Sequence, residues 1–152
     1  METEYLKPFV DGVRELVSTM LQSNCDISVG EDSPIADVSG VISLSGETAV
    51  QLALSFPRQT ATKMVAQLLA LEESEVDDAI LGDGVGEMAN IVAGMAKGRL
   101  PNNNERTQLS LPSVVVSQGH ELSLFRATGV VHMRLTTDLG DFSLRVCARP
   151  RH

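Results

Sequence analysis

The sequence predicts an α+β fold, a two-layer domain in which a mainly antiparallel β-sheet is packed with three helices. Three observations carry this expectation. Three segments place apolar residues at the spacing of an amphipathic helix. Several others alternate apolar and small polar residues, as half-buried strands do. The two kinds follow one another as helix, two strands, two helices, then three or four strands, and not in the strict alternation that a parallel βαβ sheet requires.

In chain order, residues 4–21 form the first expected helix, with Phe9, Val13, Leu16, Val17, Met20 and Leu21 on one side and Asp11, Arg14 and Glu15 between them. Residues 24–37 are polar, contain Gly30 and Pro34, and read as a loop or a poorly formed edge strand. Residues 38–45 and 48–56 alternate on either side of Gly46-Glu47, which predicts a β-hairpin. Pro57 ends the second strand, and Ala61, Met64, Val65, Leu68 and Leu69 mark a second helix over 58–70, with Thr60 near its start. The acidic run 72–78, containing Ser74 and Asp77, suits the first turn of a third helix, where carboxylates meet the positive end of the helix dipole. That helix runs to about Arg99, before Pro101 and three asparagines. Strands are expected around 107–116, over 122–128 and 129–136, and from Phe142 onward after a turn at 138–141. A single domain over 1–152 is expected, since no repeat, linker or low-complexity segment divides the chain.

Composition excludes several classes of function. The chain has 152 residues and a net charge of −8, so its surface repels phosphate backbones and anionic lipid. With no Trp, one Tyr and four Phe it lacks stacking platforms for single-stranded nucleic acid. Cys25 and Cys147 are expected as core thiols. The N-terminal residues lack the basic segment and apolar run of a secretory signal, and no stretch of about 18 apolar residues is present to span a membrane. A cytoplasmic protein is therefore expected. His120, His132 and His152 have no partner at metal-ligand spacing, no nucleophile elbow is present, and Gly82-Asp-Gly-Val-Gly-Glu87 departs from a dinucleotide loop at its last position.

The third helix carries the functional signal. Leu81, Val85, Met88, Val92 and Met95 step by three and four and predict the face turned to the sheet. Asp83, Glu87, Asn90, Gly94 and Lys97 step by the same rule on a roughly opposite face, presentable to one partner. Asn is a poor helix former, and Gly82, Gly84, Gly86, Gly94 and Gly98 each cost about 1 kcal/mol relative to Ala in a helix interior. Stability alone does not select such a helix. Glycines permit close approach of another backbone, either from the domain's own elements or from a partner.

The run from Ala79 to Gly94 resembles the signature helix of the CheX/CheC phosphatases. Asp83, Glu87 and Asn90 stand at that signature's spacing, and Pro112 follows after 21 intervening residues, one short of the family's nominal interval. The segment Leu111-Pro-Ser-Val-Val-Val also resembles the family's strand after the helix. The resemblance covers nearly the whole chain and implies a phosphatase that hydrolyses the aspartyl-phosphate of a response-regulator receiver domain. It implies Asn90 as the residue that orients the attacking water and Glu87 as the partner of the receiver's lysine. Asp83, Gly94 and Lys97 become contacts to the receiver, and no cofactor of its own is implied, since the receiver brings Mg²⁺. Glu15-Leu-Val-Ser18 in the first helix lacks the amide of a second motif, which points to the CheX-like branch. That branch implies a homodimer, with strands 122–128 and 129–136 as pairing candidates. A non-catalytic module of the same fold that docks a receiver is the alternative.

Overall fold

The computed structural model describes residues 3–30, 35–46, 48–100, 107–124 and 129–150. The chain forms α1 (Thr3–Glu15), β1 (Cys25–Gly30), β2 (Ala36–Ser45), β3 (Thr48–Phe56), α2 (Arg58–Leu69), α3 (Asp78–Lys97), β4 (Gln108–Leu109), β5 (Ser113–His120), β6 (Gly129–Thr137) and β7 (Gly140–Pro150). Seven strands make one sheet in the order β1-β6-β7-β3-β2-β4, with β5 also paired to β2, and every pairing is antiparallel. Three helices cover one face. This is the α+β architecture that the element order predicts.

The register explains the core. Ile42 opposes Leu52, and Leu52 opposes Val146, so one row of aliphatic side chains crosses three strands and points at the helices. Leu52, Leu54, Leu144 and Leu135 are fully buried in that layer, and Phe56 stacks on Phe142 with ring centroids 4.9 Å apart. The opposite face is also partly covered. Ser39, Ala53, Ser55, Arg145 and Cys147 are buried there, and Arg145 donates from Nη1 to the carbonyl of Leu122 at 3.1 Å. The chain at Leu122 thus lies over the far face. Beside it His120 Nδ1 donates to the Ser117 carbonyl (2.6 Å), which in the neutral ring leaves Nε2 to accept from Ser39 (2.8 Å). Ser39 in turn bonds Ser55 at 2.9 Å.

Several expectations need correction. The first helix leaves α geometry at Leu16 and continues as a π-turn to Met20. The hydroxyls of Ser18 and Thr19 both donate to the Glu15 carbonyl, and side-chain competition of this kind loosens a helix ladder. Of the two readings of residues 24–37, the edge strand holds over Cys25–Gly30, where β1 lies at the end of the sheet and pairs regularly with β6. Residues 122–124 form no strand, because the backbone at Leu122 serves Arg145; residues 125–128 lie outside the described residues. The other segment expected to pair two copies, β6, is an interior strand with β7 on one side and, over His132–Thr137, β1 on the other. It offers no edge there. Strand β7 runs on to Pro150, paired with Thr48 of β3. Cys147 is fully buried as expected, whereas Cys25 is half-buried. Among the described residues no helix is long and apolar enough to cross a membrane.

Candidate functional site

Helix α3 is surrounded on three sides. Its inner face sits on the sheet, where Gly40 of β2 admits it: a Cβ at Gly40 would lie 3.1 Å from Cγ1 of Val85. On one flank it meets α2, and a Cβ at Gly84 would stand 2.6 Å from both γ-carbons of Val65. On the other flank it meets β5, through Val114 and Pro112 beside Gly86. Leu81, Val85, Met88, Ala89, Val92, Ala93 and Ala96 are all fully buried. The expected apolar stripe is therefore the packed face, as its spacing requires.

The start of α3 is fixed by local chemistry. Asp77 is the N-cap and accepts from the Ile80 N–H at 2.9 Å. Ser74 is not in the helix. Residues Glu73–Glu75 form a separate 3₁₀ turn, closed by a Glu75 carboxylate that accepts from the Glu72 N–H at 3.0 Å. An Arg58–Asp78 ion pair ties the first residues of α2 and α3 together. At the far end Arg99 pairs with Glu15 of α1 at 2.6 Å. Glu15 is thus occupied in holding α1 to the end of α3, and Ser18 is turned back on the helix, so Glu15-Leu-Val-Ser18 forms no second site.

The outward face of α3 carries Asp83, Glu87, Asn90 and Gly94, all exposed, with half-buried Lys97 in the last turn. One α-helix places these five along one line of about 20 Å. Among the described residues no hydrogen bond or ion pair engages the side chains of Asp83, Glu87, Asn90 or Lys97. A Cβ at Gly94 would meet nothing within 4 Å. The glycines of this helix therefore divide in two. Gly84 and Gly86 are required by the domain's own packing, whereas Gly94 is not. Spacing alone could not separate them, because both kinds follow helical steps.

The line can present an acid and an amide together. Side chains at i and i+3 project side by side, about 5–6 Å apart at Cβ, so Glu87 and Asn90 can enter one small pocket of a partner. A carboxylate accepts, and an amide both donates and accepts. Among the described residues no group of three or more His, Cys, Asp or Glu gathers as a metal site. A cavity of about 320 Å³, lined in part by Ser55, His132, Arg134, Asp141 and Ser143, opens from sheet positions turned away from the helices and includes none of the expected site residues. The histidines are accounted for by the fold: His120 joins the serine network and His132 lines this cavity, while His152 lies outside the described residues.

Comparison with known proteins agrees with this fold. No curated protein sequence matches the chain. Among solved structures, the chemotaxis protein CheX from Desulfovibrio desulfuricans is similar at 26% identity and a TM-score of 0.82, covering 96% of this chain and 99% of that one. A chemotactic CheC-like protein from Shewanella oneidensis is similar at 26% identity and a TM-score of 0.81, covering 98% and 100%. CheX of Borrelia burgdorferi, in its complex with CheY, BeF₃ and Mg²⁺, shares the fold at 18% identity and a TM-score of 0.76, covering 95% and 97%. The family model of the chemotaxis phosphatase CheX matches residues 38–135, from β2 through α3 to β6. That span is more than half of the sequence and contains the whole outward line of α3, and the chain belongs to the CheX family.

Proposed function

We propose that this protein hydrolyses the aspartyl-phosphate of a CheY-like receiver domain, with Glu87 and Asn90 entering the receiver's active site together. The observation that carries the reading is the outward line of α3. It is a rigid helix whose other faces are packed, and it displays an acid and an amide that the domain itself does not use. Membership of a chemotaxis phosphatase family supports it, and so does the Borrelia burgdorferi neighbour, a CheX bound to CheY with BeF₃ and Mg²⁺.

Hydrolysis of an aspartyl-phosphate needs a water placed in line with the P–O bond. Asn90 can hold that water through its carbonyl oxygen while its NH₂ group turns toward the phosphoryl oxygens, and it does so without titrating. Glu87, one turn away, accepts from the receiver's lysine and fixes the depth of insertion. Asp83 and Lys97 contact the rim at either end of the line. Gly94 leaves room for the receiver's loops. The receiver brings Mg²⁺, and this chain contributes position and hydrogen bonds.

The test is the loss of label from a radiolabelled phospho-receiver of the same organism, in Mg²⁺, with and without this protein. Accelerated loss supports the reading, and Glu87→Ala is expected to reduce both binding and rate. Undiminished label across the organism's receivers, with binding still detected, leaves a receiver-docking module in its place.

A further inference from the structure

Along the outer edge of β2, Leu44 pairs with Leu109 of β4 and Val41 pairs with Ser113 of β5. Three steps on β2 therefore face four steps on the neighbouring chain. One residue is left over, which is the definition of a β-bulge. Both sides of the bulge are fastened. Ser110 donates its N–H to the Ser43 carbonyl at 2.8 Å, and its Oγ accepts from the Ser43 N–H at 3.0 Å. Pro112 is seated against α3, where a Cβ at Gly86 would lie 3.6 Å from its Cγ. Between them stands Leu111, 88% exposed, more than any other large hydrophobic residue described.

A leucine with that exposure contributes almost nothing to the core, yet its backbone is held between a two-bond anchor and a proline. Its position is as specific as its fastening. Gly86, which receives Pro112, immediately precedes Glu87 and lies one turn before Asn90. The bulge thus adjoins α3 at Gly86, on the flank next to its outward line. Bulges recur beside active sites because they re-aim one side chain without disturbing the sheet. The polar line needs such a companion, since exposed charges contribute little affinity by themselves.

We infer that Leu111 is an apolar anchor for the receiver, a specificity-determining contact that the bulge holds beside Glu87 and Asn90. The inference rests on the phosphatase reading above. The matching feature on the partner is an apolar depression next to its phosphorylated aspartate. Burial of a leucine there is the same in the ground and transition states, so it acts on KM and leaves kcat alone. This separates Leu111 from Asn90, whose contribution belongs to the chemical step.

The experiment is phosphate release from a phosphorylated CheY-type receiver of the same organism over a range of receiver concentrations. Wild type, Leu111→Ser, Leu111→Met and Asn90→Ala run in parallel, with a melting curve for each. Leu111→Ser is expected to raise KM about tenfold, to leave kcat within about twofold, and to melt with wild type. Leu111→Met is expected to restore most of the affinity. If Leu111→Ser keeps the wild-type KM while Asn90→Ala is inactive, the anchor is overturned and the phosphatase reading stands. A loss of kcat at unchanged KM also overturns the anchor. If wild type releases no phosphate, the phosphatase reading falls and the anchor with it.

Discussion

Asn90 and Gly94 look alike in a sequence, as two poor helix formers on one helix, and the structure separates their reasons. Asn90 stands exposed with its amide uncommitted among the described residues, whereas Gly94 stands in open space. Gly94→Ala should therefore stabilise the isolated protein by about 0.5–1 kcal/mol, seen as a shift in denaturant midpoint, while slowing dephosphorylation. A stabilised variant with full activity would show that no partner approaches there. The opposite holds at Gly84, where a methyl group would press on Val65. Gly84→Ala should destabilise by about 1–3 kcal/mol in the same measurement, through displacement of α2. Asp83, Glu87 and Asn90 were legible from spacing. The bulge at Leu111 was not, because a bulge is a property of two strands in register and cannot be read along one.

At the scale of elements, the β2–β3 hairpin, α2 and the body of α3 were legible because each carries its own period, with Pro57 as a stop between β3 and α2, whereas the start of α3 at the Asp77 cap was not separated from the acidic turn before it. What stayed open or failed depended on partners. Residues 24–37 allowed a loop or an edge strand, and the pairing of β1 with β6 at the end of the sheet decides for the strand over Cys25–Gly30. Residues 122–124 alternate correctly but bond through Leu122 to a buried arginine. Beyond α1, the hydroxyls of Ser18 and Thr19 that accompany the π geometry of Leu16–Met20 are visible in sequence, but their choice of the Glu15 carbonyl is not. The contact between α1 and α3 is apolar, with Gly12 set against Val92 and Met95, and the half-exposed Arg99–Glu15 pair stands at its border. Since exposed pairs contribute about 0–1 kcal/mol, Glu15→Gln should leave both melting and turnover close to wild type. A marked loss of activity would mean that α1 orients the site.

For the molecule as a whole, Asp37 fastens three elements at once. Its Oδ2 accepts from the N–H of Arg58, the first residue of α2, at 2.9 Å, and its Oδ1 from the N–H of Gly119 in β5 at 3.0 Å. These backbone donors, helped by His120 and the Arg58 charge, hold its carboxyl below the ordinary carboxylate value. Because the folded state lowers this pKa, the associated stability is complete above the unfolded value of about 4 and is lost as the pH falls through the folded one. Asp37→Asn should lower the melting temperature at neutral pH and flatten its decline on acidification. An acid limb identical to wild type would remove Asp37 from the account. Asp37 thus joins the sheet to α2, the helix against which Gly84 of α3 is packed.

Asn90 is proposed to act in hydrolysis and not in attachment. The most direct measurement follows the decay of a radiolabelled phospho-receiver and, in the same preparation, the affinity of that receiver for wild type and Asn90→Ala. Asn90→Ala is expected to bind as wild type does and to leave the decay at its unassisted rate. Decay at the wild-type rate with Asn90→Ala would contradict it.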